Sequence, residues 1–159
     1  MKYAKLKLND TANAPGVCVS VWLQGCPHHC KDCFNPETWN FSGGKPFGIN
    51  EMNSILKGIS ANGILRNLCI LGGEPLCEEN LFTTAYILRS VREQYNNSIE
   101  IYLWTGYTLQ ELKERNSNTI NGILDDLDYL IDGPFVEELK NPNLELRGSS
   151  NQIIHCLKK

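Results

Sequence analysis

Residues 17–25 read VCVSVWLQG and run directly into GCPHHCKDCFNPETW at 25–39. The first stretch is apolar and ends abruptly at a glycine, as a buried strand of a parallel sheet does. The second crowds Cys26, Cys30 and Cys33 into one short loop beside two histidines and a proline. Pro27 discourages regular structure there and lets short spacers wrap the chain around one object.

Working outward, three more runs share that form: ILRNLCILGG (64–73), IEIYLWTG (99–106) and LDYLIDG (127–133). Helical patterns separate them. Asn50 is expected to cap a helix that carries Met52, Ile55, Leu56 and Ile59 on one face. Leu81, Ala85, Leu88, Val91 and Tyr95 form a stripe long enough to cover one side of a sheet. Thr108 with Glu111 makes a capping-box pattern for a third, shorter helix. NFSGGKPFGIN at 40–50 reads as a surface loop, and MKYAKLKLND at the start alternates as a strand.

Strands alternating with helices imply right-handed crossovers and a mostly parallel sheet. The carboxyl ends of the strands then share one rim, to which the cysteine loop, Gly72-Gly73-Glu74, Thr105-Gly106 and Asp132-Gly133 all belong. A closed eight-unit barrel takes about 250 residues. The expectation for these 159 residues is therefore α/β, an incomplete (partial) β/α barrel forming a single domain over 1–159.

A net charge of −3 gives no electrostatic reason to expect nucleic acid or a membrane surface as partner. No segment is apolar enough to span a bilayer, and the first residues do not read as an export signal. Seven cysteines in such a chain are better read as ligands or buried thiols than as bridges, which points to the cytoplasm.

Thiolates are the usual ligands of iron–sulfur clusters, and four saturate a cubane of four irons. Three close cysteines would leave one iron open to a substrate. Zinc is the rival guest, held by Cys26, Cys30 and Cys33 with His28, His29 or a distant Cys69, Cys77 or Cys156, in a non-catalytic interaction module. Structural zinc more often shows two separated ligand pairs, and no second tight pair is present. Cys18 and Cys69 fall within strand patterns and read as small buried hydrophobes. His28 and His29 read as solvent-facing spacers, and Phe34, Trp39 and Trp104 as packing residues.

The C-x3-C-x2-C loop after a strand, followed by Gly-Gly-Glu-Pro, resembles the radical S-adenosylmethionine enzymes. More narrowly, GCPHHCKDCFNPETW, LGGEP, LWTGY, LIDGPFVEELKNP and RGSSNQ, in that order, resemble the family that activates anaerobic ribonucleoside-triphosphate reductases. The resemblance implies that Cys26, Cys30 and Cys33 hold a [4Fe-4S] cluster whose open iron chelates S-adenosyl-L-methionine. One electron from the cluster then cleaves the sulfonium carbon–sulfur bond, and the 5′-deoxyadenosyl radical takes hydrogen from a glycine Cα of the reductase.

The resemblance also implies cofactor contacts at Gly72, Gly73, Glu74 and Asp132, a shield at Phe34, and adenine recognition by the backbone carbonyl of Asp32. Asp32 departs from the broad superfamily, which often has an aromatic residue there. Arg147, Ser149, Ser150 and Asn151 would bind the cofactor carboxylate or dock the partner. Reduced flavodoxin or ferredoxin is the implied electron donor. An activase of another glycyl-radical enzyme, or a radical enzyme acting on a free metabolite, would share the cysteine loop.

Overall fold

A computed structural model describes residues 1–158. Seven strands form one open sheet in the order β3-β1-β2-β4-β5-β6-β7. These are β1 (Lys2–Asp10), β2 (Cys18–Leu23), β3 (Lys45–Pro46), β4 (Asn67–Gly72), β5 (Ile101–Trp104), β6 (Tyr129–Asp132) and β7 (Ile153–Cys156). The four apolar runs supply β2, β4, β5 and β6, which pair in parallel. Antiparallel pairing flanks them: β1 lies between β3 and β2, and β7 closes the far edge against β6.

The crossovers carry α1 (Ile49–Ile59), α2 (Glu78–Tyr95), α3 (Leu109–Glu114) and α4 (Asn118–Asp126). Strand alternation sends Val19, Val21, Leu23, Leu68, Ile70, Ile101, Leu103 and Leu130 to one face, where they pack against Met52, Ile55, Leu88, Val91, Leu112 and Ile120 of the helices. The opposite face carries a smaller cluster of Cys18, Trp22, Cys69, Leu71, Tyr102 and Ile131, joined by Trp104 and Leu146. Cys18 and Cys69 are fully buried there, in the apolar role expected of them. Among the described residues no helix is long and apolar enough to cross a membrane.

Three local details differ from the sequence reading. The first helix begins at Ile49 with Gly48 as its cap, so Asn50 lies inside it. Glu51 decides this, because its carboxylate accepts from the Gly48 N–H at 2.8 Å and satisfies the helix start without a side chain at the cap. The segment at 40–50 is also not all loop, since Lys45–Pro46 pairs with Lys2 and Tyr3. Finally α4 has no counterpart in the sequence pattern; Ser117 opens it by accepting from the Ile120 N–H at 3.4 Å. The Thr108 and Glu111 capping box forms as read, with Thr108 N–H donating to Glu111 Oε2 at 2.6 Å and Glu111 N–H to Thr108 Oγ1 at 3.2 Å.

Candidate functional site

The cysteine loop is tied at its neck. Gly25 N–H donates to Thr38 O at 2.7 Å and Cys26 N–H to Trp39 O at 3.1 Å, so the loop leaves and returns at one point. Gln24 reinforces the closure, its Nε2 donating to Glu37 O and Asn40 O at 3.0 and 2.8 Å. Within the loop, His29 (φ 49°) and Asp32 (φ 55°) adopt left-handed backbone conformations. Two such reversals three residues apart wind the chain tightly enough to turn the sulfur-bearing residues toward one space.

That space is a cavity at the carboxyl rim of β2, β4, β5 and β6. Cys26, Cys30 and Cys33 line it together with Phe34, Gly72, Gly73, Glu74, Thr105, Gly106, Gly133 and Gln152. Cys26 is buried and the other two are half-buried. Burial pushes the Cys26 thiol up to about 11, against the backbone N–H groups of His28 and His29, which favour the thiolate. At the far end of the loop the Asn35 N–H approaches Cys33 Sγ at 3.4 Å.

The glycine wall is a consequence of how closely two strand ends approach. A Cβ on Gly72, which has φ 109°, would stand 2.5 Å from Leu23 N, and one on Gly73 would stand 2.1 Å from Gly25 O. Backbone bonds hold the approach: Gly73 N–H to Leu23 O at 2.9 Å and Glu74 N–H to Gly25 O at 2.8 Å. Buried Asn80 fastens the start of α2 to the same place, its Nδ2 donating to Gln24 O and Glu74 O at 3.1 and 3.0 Å.

Glu74 is fully buried and has four hydrogen-bond partners in the protein. Leu76 N–H and Thr105 Oγ1 donate to Oε1 at 2.9 and 2.7 Å, Gly106 N–H donates to Oε2 at 2.7 Å, and His28 Nε2 lies 2.7 Å from the same Oε2. His28 is therefore no solvent-facing spacer: it is turned inward to a buried carboxylate. His29 is exposed, its ring stacked on Trp39 at 4.8 Å.

The remaining candidates divide. Phe34 lines the cavity mouth, is 61% exposed, and packs on Phe135 with ring centroids 5.0 Å apart. Asp32 is exposed and does not line the cavity. The Asp132 carboxylate does not line the cysteine cavity, where Gly133 represents its segment. Alternation along β6 gives Asp132 the same parity as Leu130, toward the helices, and its Oδ2 accepts from Leu109 N–H at 2.6 Å and stands 2.9 Å from His155 Nε2.

Of the RGSSNQ segment, Gln152 is the residue that reaches the cavity. Its Nε2 donates to Gly133 O at 2.9 Å, and its Oε1 accepts from Gly148 N–H at 2.8 Å. Arg147 bonds within its own segment, Nη1 to Gln152 O at 3.3 Å, and lines a neighbouring groove. Ser149 is buried and accepts from Val136 N–H, and Asn151 donates to Pro134 O. Sequence reasoning missed the roles of His28, Asn80 and Gln152. Gln152 carried a signal, since it ends a quoted motif; His28 and Asn80 carried none.

Three thiols from one wound loop, facing a glycine-walled cavity, are a donor set suited to an iron–sulfur cluster. Among the described residues no three histidine, cysteine or carboxylate side chains are gathered so as to hold a metal ion. Residues 12–155 match the model of a family described as a 4Fe-4S single cluster domain. The anaerobic ribonucleoside-triphosphate reductase-activating protein of Vibrio cholerae is 35% identical over 156 residues, covering 98% of this chain and 97% of that protein. The chain belongs to this activating-protein family. The Escherichia coli and Haemophilus influenzae proteins of the same name are 33% and 35% identical over 159 residues, each covering 99% of this chain and 100% and 99% of their own lengths. The similarity to these activating proteins thus extends over the sheet, the cysteine loop and the Gln152 segment alike.

Proposed function

We propose that this chain is the activating enzyme of an anaerobic ribonucleoside-triphosphate reductase, an oxidoreductase that places a radical on a glycine of that partner. The observation that carries the reading is the convergence of Cys26, Cys30 and Cys33 on one cavity walled by Gly72, Gly73 and Gly133. In a cubane each thiolate binds its own iron, so three cysteines on one cavity would leave the fourth iron without a protein ligand. The names of the relatives, each an activating protein of this reductase, support the same choice of partner.

Cys26, Cys30 and Cys33 would hold a [4Fe-4S] cluster and leave one iron for the amino and carboxylate groups of S-adenosyl-L-methionine. When bound, the two supply one electron and a 5′-deoxyadenosyl radical, the hard part of the chemistry. The chain supplies orientation and exclusion of water. Gly72 and Gly73 let backbone come close to the methionine end of the cofactor. Glu74 would add an acceptor behind that wall for the cofactor's ammonium. The Asp32 carbonyl would accept from the adenine amine, and Phe34 would cover the cluster at the mouth. Asp132 acts at one remove by fixing the start of α3.

The domain we propose is a single incomplete β/α barrel over 1–159, working in a reducing cytoplasm with reduced flavodoxin or ferredoxin as electron donor. The test is anaerobic. Iron-loaded protein, given a reductant and S-adenosyl-L-methionine, should release 5′-deoxyadenosine and raise a glycine-centred paramagnetic signal on the reductase. Release of 5′-deoxyadenosine with no signal on the reductase would refute the choice of partner, and no release at all would refute the reaction.

A further inference from the structure

We infer that His28 and Glu74 form a clamp that holds the cysteine loop to the rest of the rim, and that His28 is a positioning residue for the cluster site. His28 lies between Cys26 and Cys30 in the chain. Its Nε2 is 2.7 Å from Glu74 Oε2, and its ring meets the Tyr107 ring edge-on with centroids 4.5 Å apart. Gly106 leaves room for it, since a Cβ there would stand 2.6 Å from the imidazole Cδ2. The inference rests on the reading of the cavity as a cluster site only for its consequence; the clamp itself is a property of the protein.

The carboxylate joins three loops that follow three different strands. His28 comes from the loop after β2, Glu74 from the loop after β4, and Thr105 and Gly106 from the loop after β5. Glu74 has no exposure to water, so both of its oxygens rely on hydrogen-bond partners within the protein, and His28 Nε2 is one of them. Other anchors lie at the loop's neck, residues 25–26 against 38–39, and on its exposed second half, where Lys31 Nζ stands 3.8 Å from Glu138 Oε1 and Phe34 packs on Phe135. His28, between Cys26 and Cys30, differs from these in reaching a buried group of the opposite wall. Groups that orient metal ligands from behind commonly change metal retention when lost.

Three variants of the full-length chain test this. H28F keeps a ring against Gly106 and Tyr107 but removes the hydrogen-bonding nitrogen; H28A empties the position; H28Q places an amide N–H where Nε2 was. Amide hydrogen exchange is followed in iron-free and iron-loaded protein. We expect exchange at residues 26–33 and 105–107 to rise about tenfold or more in H28F and H28A, with α1 and α2 unchanged and H28Q close to the parent. Iron loss to a chelator should quicken about tenfold in the same two variants and recover in H28Q.

Unchanged exchange in these two segments in H28F and H28A would overturn the clamp. So would H28Q behaving like H28A, because packing and not the hydrogen bond would then hold the loop. Faster exchange in a chain that takes up no iron would uphold the clamp while sinking the reading of the cavity, so the two failures are distinguishable.

Discussion

Gly73 approaches Gly25 so closely that a Cβ on it would stand 2.1 Å from the Gly25 carbonyl oxygen. The contact joins the end of β4 to the residue before the first cysteine, and its partner atom is backbone, which cannot swing aside. The G73A variant should therefore lose about 1–3 kcal/mol of stability, read from urea denaturation of iron-free protein. An unchanged midpoint would show that the two strand ends do not meet as described.

The three loop cysteines should behave alike and differently from a fourth. Cys26→Ala, Cys30→Ala or Cys33→Ala should each reduce anaerobically reconstituted iron from about four per chain to well under one. Cys156 is exposed on β7 and absent from the cavity lining, so Cys156→Ala should keep the full complement. Iron and sulfide analysis of the four proteins checks both halves of this statement.

Stability should fall in acid partly through Asp10. Burial alone would push this carboxyl up, but the hydroxyl of Ser20, 2.5 Å from Oδ2, and the amide of Asn13 more than offset it and hold the group below its ordinary value. A carboxyl whose folded value is depressed contributes stability that is present above the unfolded value, near 3.9, and is lost as pH falls below it. Denaturation midpoints measured between about pH 5 and 2.5 should drop in the parent and drop less in D10N, which should also be the weaker protein at pH 7.

Arg92 anchors the amino-terminal ends of the sheet, opposite the site. Its Nη2 meets Asp128 Oδ2 at 2.7 Å, and its Nε and Nη1 donate to the carbonyls of Asp126 and Asn96 at 2.9 and 2.8 Å. Asp128 Oδ2 also accepts from Ile101 N–H at 2.7 Å, at the start of β5. Replacing the side chain in R92L strands those acceptors in a half-buried setting and should cost about 2–3 kcal/mol. Iron content should be unaffected, because no part of this network reaches the cysteine cavity.

The parts of the fold that a reader can take from the sequence are those where one requirement dominates. β2, β4, β5 and β6 are buried on both faces, so their apolar runs are continuous and end sharply. α2 announces itself because five stripe positions fit one period. α4 is short, contains Gly122 and buries chiefly Ile120 and Ile123, too few turns for a period to stand out. β3 has two residues and owes its pairing to its neighbour β1, which no local pattern records.

The site divides in the same way. The cysteines are legible because their chemistry is rare at such spacing, and the glycines because a strand end followed by two of them demands a reason. The structure supplies a different first reason for the glycines, the backbone of Leu23 and Gly25 pressed against them. His28 was illegible, since a histidine beside a cysteine is polar in any solvent-facing turn, and only the arrival of Glu74 from 46 residues away makes it a buried partner. Asp132 ends its strand as read, and what the sequence does not record is strand parity, which sends the carboxylate to Leu109 N–H and His155.

Coordination of the open iron tests the central claim most directly. Reduced, iron-loaded protein would be mixed with S-adenosyl-L-methionine carrying nitrogen-15 in its amino group and oxygen-17 in its carboxylate, then studied by electron–nuclear double resonance. The account predicts magnetic coupling of both labels to the cluster in the parent protein. A [4Fe-4S] cluster that shows no coupling to either label, or one whose four irons are all held by protein side chains, would contradict it.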